Sequence, residues 1–143
     1  MDIRPLTETF AVAPQILPED MAALRDLGYG TIINNRPDGE VPPELQTEAM
    51  RQAAEAAGLR FVVNPVDRSS PLENILARQS EAMANEPLAT LAYCASGTRS
   101  AMIWALAAAG QVAADDMFDA LERAGYALGH LRPEVEARAN QAG

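Results

Sequence analysis

The stretch that most narrows the choice of fold runs from residue 88 to residue 110. Residues 88–93 (LATLAY) are short, apolar and preceded by Pro87, which reads as a buried strand. Residues 100–109 are apolar on almost every face and stop at Gly110, which predicts a buried helix with a glycine cap. Between them lies a six-residue turn, Cys94-Ala95-Ser96-Gly97-Thr98-Arg99, followed by Ser100. A helix that begins this way points its first N–H groups and the positive end of its dipole at one spot. A cysteine held there beside an arginine has its thiolate favoured, and thiols in such settings titrate at about 3.5–7.5. A lone cysteine is ordinarily a small buried hydrophobe. The Cys-x-x-Gly-x-Arg-Ser spacing between a buried strand and a buried helix is what carries the reactive reading of Cys94.

The chain of 143 residues fits one domain, taken as 1–143, large enough to bury most of its unfolded surface. Its net charge of −9 argues against nucleic acid and anionic membrane surfaces as partners, because the long-range field repels them. A small anion is still admissible, since the field at a helix N-terminus next to Arg99 acts at short range, where a screened global charge does not. With one cysteine and one histidine, no internal disulfide forms and no metal site of the usual ligand types is expected. The N-terminal residues lack the apolar core of a signal peptide and no window of eighteen apolar residues occurs, so a cytoplasmic location is the expectation.

Read in order, residues 10–12 suggest a first strand. Pro18-Glu19-Asp20 opens a helix carrying Met21, Leu24 and Leu27 on one face. Residues 31–34 are a β-branched strand and 34–40 are loop. A second helix is expected over 43–57, ending at Gly58, then a strand over 59–64 and a loop over 65–71. Helical spacing resumes over 72–85, and after the Cys94 unit a helix capped by Asp115 or Asp116 closes at Gly125, with a last helix over 133–142. Strands alternating with helices imply right-handed βαβ units. The expected fold is therefore α/β and three-layered: a mainly parallel sheet of four to five strands with helices on both faces. Ligands of such sheets bind beyond the carboxyl ends of the strands, which brings loops 34–40, 65–70 and 94–99 to one edge.

The segments Gly30-Thr-Ile-Ile-Asn-x-Arg-Pro-Asp38, Asn64-Pro-Val and Tyr93-Cys-x-Ser-Gly-Thr-Arg-Ser100, with others along most of the chain, resemble a known family. They are similar to the phosphatase-like domains of beta-lactamase hydrolase-like proteins, a sulfurtransferase-related family. The resemblance implies a dual-specificity tyrosine phosphatase-like fold with a rhodanese-like active loop. Relatives fused to persulfide dioxygenases imply a link to sulfide metabolism and a persulfide dioxygenase as a possible partner. By the same resemblance Cys94 is the nucleophile, Arg99 binds the oxyanion, the amides of Ala95, Ser96, Gly97, Thr98, Arg99 and Ser100 form the cradle, and the Ser100 hydroxyl sits next to the thiolate. Asp67 lies where phosphatases of this fold carry a general acid. Tyrosine phosphatases place five residues between cysteine and arginine; here there are four, the rhodanese spacing, and Tyr93 replaces the preceding histidine.

These features lead first to a sulfurtransferase that takes sulfur from a small anionic donor such as thiosulfate onto Cys94 and passes it to a thiol acceptor, without a cofactor. The alternative is a phosphatase acting through a phosphocysteine, which wants Asp67 as proton donor. A third reading is a non-catalytic anion- or persulfide-binding module. In the second-ranking roles, Arg36 is a candidate pocket residue, Tyr93 reads as strand-end packing, His130 as a surface turn, and Asp67 has a competing reading as a turn residue.

Overall fold

The computed structural model describes residues 1–142. Five strands form one sheet in the order β1-β2-β5-β3-β4, where β1 is Arg4–Pro5, β2 Phe10–Ala13, β3 Tyr29–Asn34, β4 Arg60–Val63 and β5 Ala89–Tyr93. All neighbouring strands are parallel except β1, which pairs antiparallel with β2. The helices are α1 (Met21–Asp26), α2 (Thr47–Ala56), α3 (Leu72–Ala84), α4 (Thr98–Ala107), α5 (Ala114–Arg123) and α6 (Arg132–Ala142). No helix among the described residues is long and apolar enough to cross a membrane.

Strand alternation builds the two core layers. Phe10, Val12, Ile33 and Ala92 turn toward α3, α4, α5 and α6, where they meet Trp104, Ile103, Met117 and Val135. Ala11, Ala13, Ile32, Leu91 and Tyr93 turn the other way, toward Met21 and Leu24 of α1 and Met50 and Ala54 of α2. Because β5 lies between β2 and β3, its residues are buried on both faces, which is why the segment reads as continuously apolar. Helix α4 is likewise buried on most sides and carries Trp104, whose ring stacks on Phe10 at 6.0 Å.

Several boundaries differ from expectation for identifiable reasons. The expected 43–57 helix is split: a 3₁₀ turn holds Pro43–Leu45, Gln46 is extended at ψ 169°, and α2 begins only at Thr47. Thr47 is capped instead by Asp38, whose Oδ1 accepts from its N–H and hydroxyl at 2.8 Å each. Asp115 and Asp116 do not cap α5 but occupy its first turn, after an extended Ala113, where they complement the helix dipole. Helix α4 starts at Thr98, two residues before the expected point, because Gly97 at φ 92° supplies the left-handed kink that turns strand into helix. Strand β1 has no apolar alternation to announce it and exists through its pairing with β2.

Candidate active site

The carboxyl ends of β2, β5, β3 and β4 lie on one edge, and hydrogen bonds between their last residues stitch the following loops together. Asn35 N–H donates to Tyr93 O at 2.9 Å, Val66 N–H to Asn35 O at 2.9 Å, and Gln15 N–H to Ala95 O at 3.2 Å. Side chains extend the stitching. Ser100 Oγ donates to Asn35 Oδ1 at 2.8 Å, Asn35 Nδ2 to Asn64 O at 2.8 Å, and Asn64 Nδ2 to Ile75 O at 2.9 Å. Asn35, Asn64 and Ser100 are fully buried, so each bond replaces water that the interior does not supply. The Ser100 hydroxyl therefore spends its proton on Asn35 and anchors the loop to β3.

Cys94 follows the last residue of β5, and its side chain lies under its own loop, with the Gly97 N–H 3.1 Å from the sulfur. The residue is 1% exposed. On this side the sulfur meets the polar N–H of Gly97 rather than hydrocarbon alone. In α4 the first helical bond runs from Ala101 N–H to Gly97 O, at 2.9 Å. The N–H groups of Arg99 and Ser100 precede it and are among the donors that a helix N-terminus leaves without intrahelical partners.

Arg99 sits one residue into α4 and grips Glu40 with both arms: Nη2 to Oε1 at 2.7 Å and Nη1 to Oε2 at 2.9 Å. Arg36 shares the same carboxylate, Nε to Oε1 at 3.3 Å, and donates from Nη1 to Gln15 Oε1 at 3.1 Å. Glu40 holds the Arg99 guanidinium more firmly protonated, and the nearby Cys94 sulfur adds to that effect. The arginines, Arg99 foremost, hold the Glu40 carboxyl below the usual range. A depressed carboxyl contributes its ion pair above its unfolded value of about 4.3 and loses it only as pH falls through the lower folded value, so the grip is intact across neutral pH. Two guanidinium groups thus meet beside the Cys94 loop and are occupied by the protein's own carboxylate. Glu40→Gln should tighten binding of inorganic phosphate or sulfate about two- to fivefold, the worth of one exposed ion pair removed as a competitor. Dissociation constants at fixed ionic strength measure this, and weaker binding would mean that Glu40 orients Arg99 rather than competing for it.

Asp67 is exposed and folded back on itself: its Oδ1 accepts from the N–H of Ser69 at 2.8 Å and from the Ser69 hydroxyl. These bonds, the hydroxyl first, hold its carboxyl below the usual range. That is the geometry of a turn residue, and the Arg99 guanidinium adds a smaller effect in the same direction. Tyr93 is fully buried against α1 and α2, its hydroxyl without a hydrogen-bond partner, and burial pushes that hydroxyl upward. His130 is exposed in a 3₁₀ turn. Among the described residues no cluster of three or more His, Cys, Asp or Glu is arranged to hold a metal ion.

Sequence reasoning brings the loops that carry Cys94, Arg99, Arg36 and Asp67 to this edge and assigns no role to Glu40, Gln15, Asn35 or Asn64. Glu40 reads as one more loop acid, and only its contact with an arginine 59 residues away gives it meaning. The adjacent Asn34-Asn35 pair at a strand end was the available signal for a buried polar junction.

A mainly parallel sheet whose central strand delivers a cysteine into a short loop, with an arginine opening the next helix, is the tyrosine phosphatase-like fold; Tk-PTP in its active form shares it with a TM-score of 0.67 at 16% identity, over 98% of this chain and 97% of that one. The chain belongs to the family described as beta-lactamase hydrolase-like protein, phosphatase-like domain, whose model matches residues 2–111. It is 33% identical over 144 residues to the beta-lactamase hydrolase-like protein of Xylella fastidiosa, which covers 99% of this chain and 33% of that protein. The chain spans a quarter to a third of the length of the curated relatives it matches. A Neisseria meningitidis protein proposed to be a phosphatase superimposes with a TM-score of 0.77 at 28% identity, over 96% of this chain and 99% of that chain.

Proposed function

We propose that the chain is a cysteine-dependent phosphatase-type hydrolase. The observation that carries this reading is the Gly97 N–H on the Cys94 sulfur, 3.1 Å away, at the mouth of α4 and beside Arg99. In the proposed step the Cys94 thiolate attacks the phosphorus of a phosphomonoester. The S–P bond forms as the P–O bond to the leaving group breaks, and the electron pair leaves with that oxygen. Water then attacks the phosphocysteine, returning the thiolate and releasing inorganic phosphate. The N–H groups at the start of α4 and the Arg99 guanidinium take the charge that gathers on the non-bridging oxygens. The substrate's oxygens take over part of the Arg99 grip from Glu40.

The carboxylates of Asp67, Glu40 and Asp38 are all engaged as acceptors, Asp67 by Ser69, Glu40 by Arg99 and Asp38 by Thr47. The preferred esters are therefore those whose leaving group needs little protonation, aryl phosphates ahead of alkyl ones. The same observation favours a second reading, sulfur transfer. A thiosulfate donor expels sulfite without a proton, leaving a Cys94 persulfide, and the four-residue spacing between Cys94 and Arg99 suits it.

One comparison separates the readings. Turnover of an aryl phosphate and intact mass after incubation with thiosulfate are measured for wild type, Cys94→Ser and Asp67→Asn. Phosphatase action predicts turnover that falls by about 10³-fold or more in Cys94→Ser, as expected for loss of a nucleophile. Asp67→Asn should stay within about twofold. A reductant-reversible gain of one sulfur on Cys94 without phosphate release would instead establish sulfur transfer. Anion binding with neither signal would leave a binding module.

A further inference from the structure

Behind the Cys94 loop stands a residue from outside the segment that the family model matches. Tyr126 follows α5, 15 residues beyond residue 111 where that match ends, and is 5% exposed. Its hydroxyl donates to the carbonyl oxygen of Ser96 at 3.2 Å. The same peptide group presents the Gly97 N–H to the Cys94 sulfur at 3.1 Å. In a planar trans peptide the carbonyl and the N–H point in opposite directions, so fixing one end aims the other. The two hydrogen bonds form a single chain, from phenol to carbonyl, through the amide, to sulfur. Hydrogen bonds in such a chain polarise one another.

We propose that Tyr126 is a positioning residue for the nucleophile: it holds the Ser96–Gly97 peptide with its carbonyl outward and its N–H on Cys94, and so strengthens the bond that stabilises the thiolate. Three further observations fit. Gly97 has no Cβ where one would overlap the Tyr126 hydroxyl and stand 3.0 Å from its Cζ, so the phenol is seated directly against the loop. Arg4 lies over the Tyr126 ring at 5.1 Å and donates from Nη1 to Ala124 O at 3.1 Å, which fixes the ring from behind. Burial, above all, keeps the phenol protonated well past neutral pH, so it remains a donor under all working conditions. Without the phenol, the Ser96–Gly97 peptide is free to rotate its carbonyl toward the cradle, where an anion would be repelled.

The inference rests on Cys94 being the nucleophile, and thiol alkylation tests it without assuming any substrate. The rate of carbamidomethylation of Cys94 by iodoacetamide is followed by intact mass from pH 5 to 9 for wild type, Tyr126→Phe and Arg4→Met. Tyr126→Phe should be alkylated about three- to tenfold more slowly at pH 7, with the rate-versus-pH curve moved to higher pH. Arg4→Met, which keeps the phenol but loosens its seat, should move the same way by less. If the wild type turns over an aryl phosphate, Tyr126→Phe should lower kcat with KM nearly unchanged. A Tyr126→Phe protein that unfolds earlier in denaturant yet keeps the wild-type pH curve would overturn the proposal and reduce Tyr126 to packing; if that variant fails to fold, an unmoved Arg4→Met curve does the same. A wild-type Cys94 that resists alkylation throughout would strike the nucleophile reading itself, a separate result.

Discussion

Gly97→Ala should lower turnover by about a hundredfold, the scale on which misplacement of reacting groups by an ångström acts. Gly97 is at φ 92°, where a side chain costs about 1–2 kcal/mol. The added methyl would also overlap the Tyr126 hydroxyl and lie 3.4 Å from the carbonyl carbon of Ala13. Tyr126 is buried and braced by Arg4, so the loop is the part that yields. When it yields, the Gly97 N–H leaves the Cys94 sulfur and the start of α4 shifts. Steady-state kinetics and thermal melts check both parts of the expectation. A Gly97→Ala/Tyr126→Phe double variant removes the worst overlap, that with the hydroxyl, but leaves the methyl 3.0 Å from Cζ and the backbone strained, so it should recover stability partly and activity little. Full recovery of activity would mean that the overlap alone matters.

The second large effect concerns the helix behind the loop. Trp104→Ala should remove about 3–5 kcal/mol of stability, as expected for truncating a fully buried aromatic side chain in a closely packed core. Trp104 is 1% exposed, and its ring stacks on Phe10 of β2 with planes 9° apart. It therefore ties α4 to the sheet at the strand neighbouring β5. For a chain of this size the loss corresponds to a fall in Tm of roughly 10 °C. Trp104→Phe should cost much less, since it keeps the ring on Phe10. A Trp104→Ala melt within 2–3 °C of wild type would mean that the core closes around the gap, contrary to the packing described.

Both effects trace to one arrangement: a helix buried on most sides whose first turn is the candidate anion cradle. Stability of the helix and the geometry at its end are served by the same packing. The rim is built differently. Glu40, Arg36 and Asp67 sit on loops with exposed or half-buried side chains, held by hydrogen bonds and ion pairs rather than by burial. Substitutions there are expected to change anion affinity and leave the fold intact.

What the amino-acid order determined by itself is the sheet and the loop. Alternation of β-branched strands with alanine-rich helices dictates a parallel three-layer fold, and Cys94, Gly97 and Arg99 carry their meaning in their spacing. Those are local properties, set by backbone preference and by which side chains water rejects. Tertiary structure alone decided the contacts between residues far apart in the chain: Glu40 on Arg99, Asn35 beneath Ser100, Tyr126 on Ser96. It also folded Asp67 back on Ser69, a pairing that the loop's composition alone does not select. Such pairings depend on direction and distance to within a fraction of an ångström, and no periodicity in a sequence encodes where two loops will meet.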